Sequence, residues 1–327
     1  MTRALLAPLE LLYAAALRTR NRHYNKAQPL RLRQPVISIG NLSVGGSGKT
    51  PLVIHLAKIL EREGWSVDVI SRGYRRGGDL VERVEESGDA ERFGDEPLLI
   101  AQSAHVPVYV GASRYQAGLR AEREIPNAPK RIHLLDDGFQ HRQLARAIDI
   151  VLVHRDDLTD SLLPAGRLRE RLTALERADV IVLREEDSEL TTRLSPYLRS
   201  ETPVWRVKRT LSVPSGQTPV LAFCAIARPR DFYQALKAQG SELVATKSFR
   251  DHHPYTQRDI ESLRQLASRY RCEAMVTTEK DAVKLDAKLR ESLSQVAPLR
   301  VARLSLQMHD ETAAMEHLSA LLDSSRN

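Results

Sequence analysis

The chain has 327 residues, with 49 lysines and arginines against 42 aspartates and glutamates, a net charge of +7. That length accommodates a full core and two domains, and the basic excess suits an anionic partner: a nucleotide, a phosphorylated sugar or a phospholipid surface. Aromatics are only 5% of residues and no RNP-like stretch occurs, so a nucleic-acid partner is not expected. The two cysteines, Cys224 and Cys272, lie far apart beside apolar residues. They read as buried thiols in a reducing compartment rather than as a disulfide or metal pair.

No run reaches the ~18 consecutive apolar residues of a membrane-spanning helix. The N-terminus nevertheless crowds Leu5, Leu6, Leu9, Leu11, Leu12, Tyr13 and Leu17 ahead of Arg18, Arg20, Arg22 and His23. A signal peptide is disfavoured, since Pro8 and Glu10 interrupt the apolar stretch. Residues 1–25 are expected to form an amphipathic helix lying on an anionic leaflet, with packing on the protein's own core as the alternative.

The apolar run Val36–Ile39 leads through Gly40-Asn41-Leu42-Ser43-Val44-Gly45-Gly46-Ser47-Gly48 to Lys49-Thr50. Leu52, Leu56, Ile59 and Leu60 follow at helical spacing. This is a strand, a phosphate loop and a helix. Gly45, Gly46, Ser47 and Gly48 let backbone N–H groups converge on phosphate oxygens at a helix N-terminus. Lys49 would reach the β- and γ-phosphates, and Thr50 would ligate Mg²⁺. The strict pattern wants glycine where this chain has Ser43.

Further along, strands are expected at 66–70, 106–110, 131–135, 148–153 and 180–183, alternating with helices. That spacing predicts an α/β fold, a P-loop NTPase-type, mostly parallel sheet with helices on both faces. The second strand delivers Ser71-Arg72-Gly73-Tyr74-Arg75-Arg76, either a cradle for an anionic group or a basic surface loop. Residues 77–93 read as a loop or ragged hairpin, and Asp95 stands near the start of a capped helix. The fourth strand ends in Asp136-Asp137, paired carboxylates of the kind that hold Mg²⁺ in P-loop enzymes. Residues 211–219, rich in Ser, Pro and Gly, mark a linker between a kinase-type unit at 26–210 and a smaller C-terminal α/β unit at 220–327. In that second unit, Thr256 and Asp259 resemble a capping box after Arg250-Asp251-His252-His253.

VISIGNLSVGGSGKTP, SRGYRR, GDEP, LLDDGFQHR, LPAGRLRE, FRDHHPY and TTEKDAVKL together resemble the tetraacyldisaccharide 4'-kinases, in the family's order from residue 36 to about 285. The resemblance implies transfer of the ATP γ-phosphate to the 4'-hydroxyl of a tetraacylated glucosamine disaccharide 1-phosphate. It implies ATP and Mg²⁺, an acylated disaccharide substrate, and a peripheral position on the cytoplasmic face of the bacterial inner membrane; a monomer is expected. On this chain Lys49 and Thr50 match its phosphate-loop residues. Asp136, Asp137 and Glu170 match its acids around the metal, and Asp95 with His252 its catalytic dyad. Arg114 and Arg169 match arginines near the phosphates. His253 stands beside His252 as the other imidazole in the motif. Because the dyad residues lie in different units, their meeting is expected to require closure of the cleft. The rival of another class is a P-loop GTPase or metallochaperone switch. Its [NT]KxD guanine motif is not met by Thr278-Glu279-Lys280-Asp281, where lysine falls one place late.

Overall fold

The computed structural model describes all residues except Met1, Ser47, Arg75, 127–129, 214–217 and Asn327, so the expectation placed on Ser47 lies outside the described residues. Helix α1 (Thr2–Lys26) precedes β1 (Val36–Asn41), a strand buried along its whole length. The phosphate loop opens α2 (Lys49–Arg62), whose Leu52, Val53, Leu56 and Leu60 are wholly buried. Next come β2 (Ser66–Ser71), the two-residue edge strand β3 (Glu82–Arg83) and the single turn α3 (Ala90–Phe93). They are followed by α4 (Asp95–Ala104), β4 (Val108–Val110), α5 (Arg114–Glu124), β5 (Arg131–Asp136), β6 (Ile148–Leu152) and β7 (Val180–Arg184). Between β6 and β7, where a helix was expected after Glu170, there are short 3-10 turns at Arg155–Leu158 and Leu172–Arg177.

After the short α6 (Leu190–Leu194), β8 (Val204–Ser212) is a strand the sequence reading did not anticipate. Its apolar residues alternate with Arg206, Lys208 and Thr210, so only one face is buried, and the high charge masks the two-residue period. The second unit contains β9 (Pro219–Cys224), α7 (Pro229–Ala238), β10 (Glu242–Ser248), α8 (Gln257–Arg269), β11 (Ala274–Thr278), α9 (Glu279–Ala282), α10 (Ala287–Ser294) and β12 (Leu299–Met308). The expected capping box is present at α8: Thr256 accepts from the Asp259 N–H, and the Asp259 carboxylate accepts from the Thr256 N–H at 2.8 Å. The chain closes on α11 (Glu311–Arg326).

The strands form one sheet in the order β10-β9-β11-β12-β8-β7-β6-β1-β5-β2-β4-β3. Pairing is parallel except at the β3–β4 edge and at β8–β12. The β8–β12 pairing defines the junction between the two halves. Val204–Val207 pair with β7, while Val207–Ser212 pair antiparallel with Arg303–Met308 of β12. The two parallel halves therefore meet through a two-stranded ribbon, and the expected linker begins inside a strand. Ala314, Leu318 and Leu322 of α11, with Leu306 of β12, pack into the core built by α2 and the first half. The chain's last segment thus belongs to the first core rather than to the second unit.

A buried charged cluster pins β2 to β5 at the end opposite the phosphate loop. Asp68 accepts two bonds from Arg131, at 2.9 and 2.7 Å, and contacts His133 Nδ1 at 2.7 Å, all three side chains being essentially inaccessible. Burial disfavours the charged imidazole, yet Asp68 and Glu122 outweigh it and raise the His133 pKa. Its contribution is therefore complete below about pH 6.5, the unfolded value, and is lost as pH rises through the folded one. Asp68→Ala leaves two buried cations with no carboxylate between them. It should cost about 3–5 kcal/mol, read as the urea midpoint; a loss below about 1 kcal/mol, the worth of an exposed pair, would contradict this account.

Candidate active site

The phosphate loop lies between the carboxyl ends of the central strands, since β1 is flanked by β5 and β6. Gly40 is required where β1 ends: a Cβ there would meet Phe139 Cβ at 2.5 Å. Gly48 caps α2 at φ +95, in the left-handed region that glycine enters at little cost. Ser43 is accommodated because the backbone there is extended, forming an antiparallel bridge with Leu168. The Val44 N–H donates to the Arg167 carbonyl at 2.8 Å. A glycine is therefore not needed at this position, and the 167–169 segment forms one wall of the loop.

Lys49 Nζ donates to Asn41 Oδ1 at 2.9 Å and pairs with Asp137 at 3.3 Å. Arg169 forms a two-pronged pair with Asp137, at 2.8 and 2.9 Å, and its guanidinium also reaches Asn41 Oδ1 and the Ser43 carbonyl. Burial would raise the Asp137 pKa, but Lys49 and Arg169 hold the carboxyl well below its usual range. Asp136 behaves oppositely. Burial, then Glu96 and Asp137, push its carboxyl up to about 7 against Lys49 and the Ser71 hydroxyl, which donates to Oδ2 at 3.0 Å. Its Oδ1 is buried with no hydrogen-bond partner among the described residues.

Glu170 is almost wholly buried but points to different company: Arg20 of α1 at 3.1 Å and Arg177 at 2.6 Å. Among the described residues no group of three or more acids, histidines or cysteines is gathered closely enough to ligate a metal. The three acids grouped by the sequence reading have different partners in this structure. Asp136 offers a bare oxygen, Asp137 binds cations, and Glu170 anchors α1. Arg114 opens α5 and is buried. Burial and the Arg72 charge lower its pKa to about 10, against Asp137 and Asp136. Arg72 and Tyr74 are exposed at the β2 exit, where Tyr74 meets the His252 ring edge-on at 5.4 Å between centroids.

Asp95, at the first position of α4, lies 2.8 Å from His252 Nδ1. The pair is made in this structure, across the two halves of the sheet. Burial raises the Asp95 pKa, but the His252 hydrogen bond and the Lys280 ammonium prevail and leave it lowered. His253 turns elsewhere, stacking on Phe249 at 5.0 Å and bonding Asp259 at 3.0 Å. Geometry thus separates two imidazoles that adjacent positions in the sequence do not. Three neighbours of the site escaped the sequence reading. Asn41 is hidden as a polar strand terminus, and Lys280 lies in the TTEKDAVKL stretch without a role that the motif assigns. Arg209 of β8, whose guanidinium lies 3.7 Å from where a Gly48 Cβ would be, sits in a strand that charge concealed.

A glycine-capped helix start with its lysine, beside strand-end aspartates on a mostly parallel sheet, defines a P-loop phosphotransferase. The sequence profile of the LpxK family, tetraacyldisaccharide-1-P 4'-kinase, matches residues 2–323. A tetraacyldisaccharide 4'-kinase of Koribacter versatilis is 44% identical over 328 residues, covering 97% of this chain and 98% of that protein. One of Geobacter metallireducens is 36% identical over 308 residues, covering 86% and 88% respectively. The crystal structure of "apo" form LpxK from Aquifex aeolicus in complex with ATP superposes with a TM-score of 0.78 at 31% identity, covering 98% of this chain and all of that one. The chain belongs to the tetraacyldisaccharide 4'-kinase family.

If Asp95 and His252 act as one unit, Asp95→Ala or His252→Ala should each lower kcat by about 10²–10⁴-fold. The double variant should then lose little more than the worse single one. ATP binding should survive in all three, because neither residue belongs to the phosphate loop. A double-mutant cycle on kcat checks this, and multiplicative losses would exclude a joint role.

Proposed function

We propose that this chain transfers the γ-phosphate of ATP to the 4'-hydroxyl of a tetraacylated glucosamine disaccharide 1-phosphate. The observation that carries the reading is geometric: at the β2 exit Ser71 donates to Asp136 at 3.0 Å beside the phosphate loop, and three residues on Tyr74 meets the His252 ring at 5.4 Å, which puts the loop and the Asp95–His252 pair at one end of the sheet. Family membership supplies the acceptor class. A sugar hydroxyl is a weak nucleophile, and Asp95, ionised near neutral pH, accepts its proton as the bond to phosphorus forms. His252 orients that carboxylate. Lys49 moves its ammonium toward the transferring phosphoryl group, while Arg114 and Arg169 surround it with fixed positive charge. Tyr74, exposed and edge-on to His252, and Arg72, exposed two residues earlier at the β2 exit, would meet the anionic acceptor.

The bare, buried Oδ1 of Asp136 suits a cation, and Thr50 stands at the helix start where its hydroxyl can join it. These two residues would hold Mg²⁺, with phosphate oxygens completing the shell. When bound, the ion neutralises charge on the phosphates. Asp137 then acts as the acid that positions Lys49 and Arg169, and Glu170 as the anchor of α1. The switch-protein alternative is not favoured, since Lys280 is occupied by Glu96 at 2.9 Å and His252 at 3.2 Å.

Helix α1 supports a peripheral place on an anionic membrane surface. No helix among the described residues is long and apolar enough to cross a membrane. Ala14 and Leu17 pack on the core, while Leu9, Leu11 and Leu12 are 49%, 69% and 68% exposed. One face of α1 thus packs on the protein's own core, and the exposed leucines are left for the proposed membrane contact. Replacing those three leucines by serine forfeits about 1.5–3 kcal/mol of burial each. Sedimentation with anionic vesicles should show binding weakened by more than about tenfold. Unchanged binding would remove α1 from the membrane contact.

The kinase reading is tested directly by phosphate transfer from ATP to the acylated disaccharide in detergent. Lys49→Ala should lower turnover by about 10³-fold or more. A folded Lys49→Ala protein with near-parental turnover, or a parent that leaves the lipid unphosphorylated, would overturn it.

A further inference from the structure

His252 is held at both ring nitrogens. Nδ1 faces Asp95 Oδ2 at 2.8 Å and Nε2 faces the Lys280 ammonium at 3.2 Å. An ammonium has three donors and no acceptor, so it can hydrogen-bond Nε2 only through that nitrogen's lone pair. Such a bond leaves Nδ1 as the ring's donor, facing Asp95. Lys280 is fixed in turn by Glu96 at 2.9 Å, and these contacts with Glu96 and Asp95 push its pKa up to about 12 despite burial. It is a permanent cation at this place.

The groups around the Asp95–His252 pair make the choice consequential. Asp95 and Glu96 come from α4, Tyr74 from the β2 exit, Lys280 and Lys284 from α9 and the residues after it, and Asp251 from the ring's own loop. Asp251 Oδ2 lies 3.9 Å from Nε2, outside hydrogen-bonding range but close enough to attract a proton. With the ammonium gone, the imidazole would stand between two carboxylates, and a second proton on Nε2 would be stabilised. An imidazolium beside Asp95 weakens that carboxylate as a base.

The same short segment shapes the loop that presents the ring. His252 occupies a left-handed conformation at φ 59, with its N–H donating to the Ala225 carbonyl at 3.2 Å. The Ala225 N–H donates to both oxygens of Asp281, each at 3.1 Å, and Asp281 is the residue after Lys280. Thus the start of α9 fixes the backbone of the dyad loop through Asp281 and the ring of His252 through Lys280.

We propose that Lys280 is a positioning residue for the transfer: it holds His252 neutral, with its proton on Nδ1, so that Asp95 keeps its lone pairs for the acceptor hydroxyl. This deepens the kinase reading and rests on it. It is tested on the full chain by ¹⁵N-histidine NMR at pH 7, with His252→Gln assigning the signal. The parent should show a protonated Nδ1 and a bare Nε2. Lys280→Met should show both nitrogens protonated and kcat reduced by about 10–100-fold, as for lost supporting contacts elsewhere, with KM for ATP unchanged. Lys280→Arg should recover most of that loss. A parent protonated at Nε2, or a folded Lys280→Met protein with parental kcat, overturns the proposal. If Lys280→Met does not fold, the parent's ring signature alone decides. That signature does not depend on the acceptor, so a parent inactive on the lipid would count against the kinase reading without altering the tautomer result.

Discussion

One carboxylate organises the nucleotide side of the molecule. Asp137 leaves β5 at φ 52, and that left-handed step lets it face Arg169 and Lys49 together. Two cations share one anion in a half-buried setting, where attraction is strong but unpaired charge is costly. Arg169 also bonds Asn41 and the Ser43 carbonyl, so the same guanidinium sets the shape of the phosphate loop. The loop is therefore held open by side chains from 41, 137 and 169 as well as by its glycines. Its lysine is held by the Asn41 amide oxygen and the Asp137 carboxylate.

This arrangement reaches the N-terminal helix. Tyr13 donates to the Arg169 carbonyl at 3.0 Å, and Arg20 pairs with the buried Glu170. The residue that grips Asp137 and its neighbour that grips α1 are consecutive. A helix with three exposed leucines is thus tied within two residues to the phosphate loop. The N-terminal helix and the phosphate loop share one short segment because Leu168 bridges Ser43 while residues 169 and 170 turn to either side.

The second half of the sheet contributes differently. It meets the first through the β8–β12 ribbon, and α11 returns to pack beside α2. Asp95 and His252, 157 positions apart, come together because that ribbon places the β10–α8 loop over the start of α4. Lys280 adds a second contact across the same seam through Glu96. The Asp95–His252 pair is a product of sheet topology, and its geometry depends on the β8–β12 ribbon.

Local chemistry was legible in the sequence. Buried strands read as short runs rich in Val, Ile and Leu, glycines with Lys-Thr marked the phosphate loop, and Thr256 with Asp259 announced a helix start. Each of these is decided within a few residues by backbone sterics and local hydrogen bonds. The strand β8 was not legible, because a one-sided, heavily charged strand lacks an apolar run. Nor could the sequence assign partners. It offered Asp136, Asp137 and Glu170 as one acidic set, and only packing gave the first a bare oxygen, the second two cations and the third an arginine of α1. It offered two adjacent histidines, and a left-handed turn at His252 sent one to Asp95 while its neighbour stacked on Phe249. The sequence by itself determined which chemical groups exist and which local backbones they favour. Tertiary structure decided which charges share a buried space, because Coulomb energy and desolvation depend on distances that the chain's order does not contain.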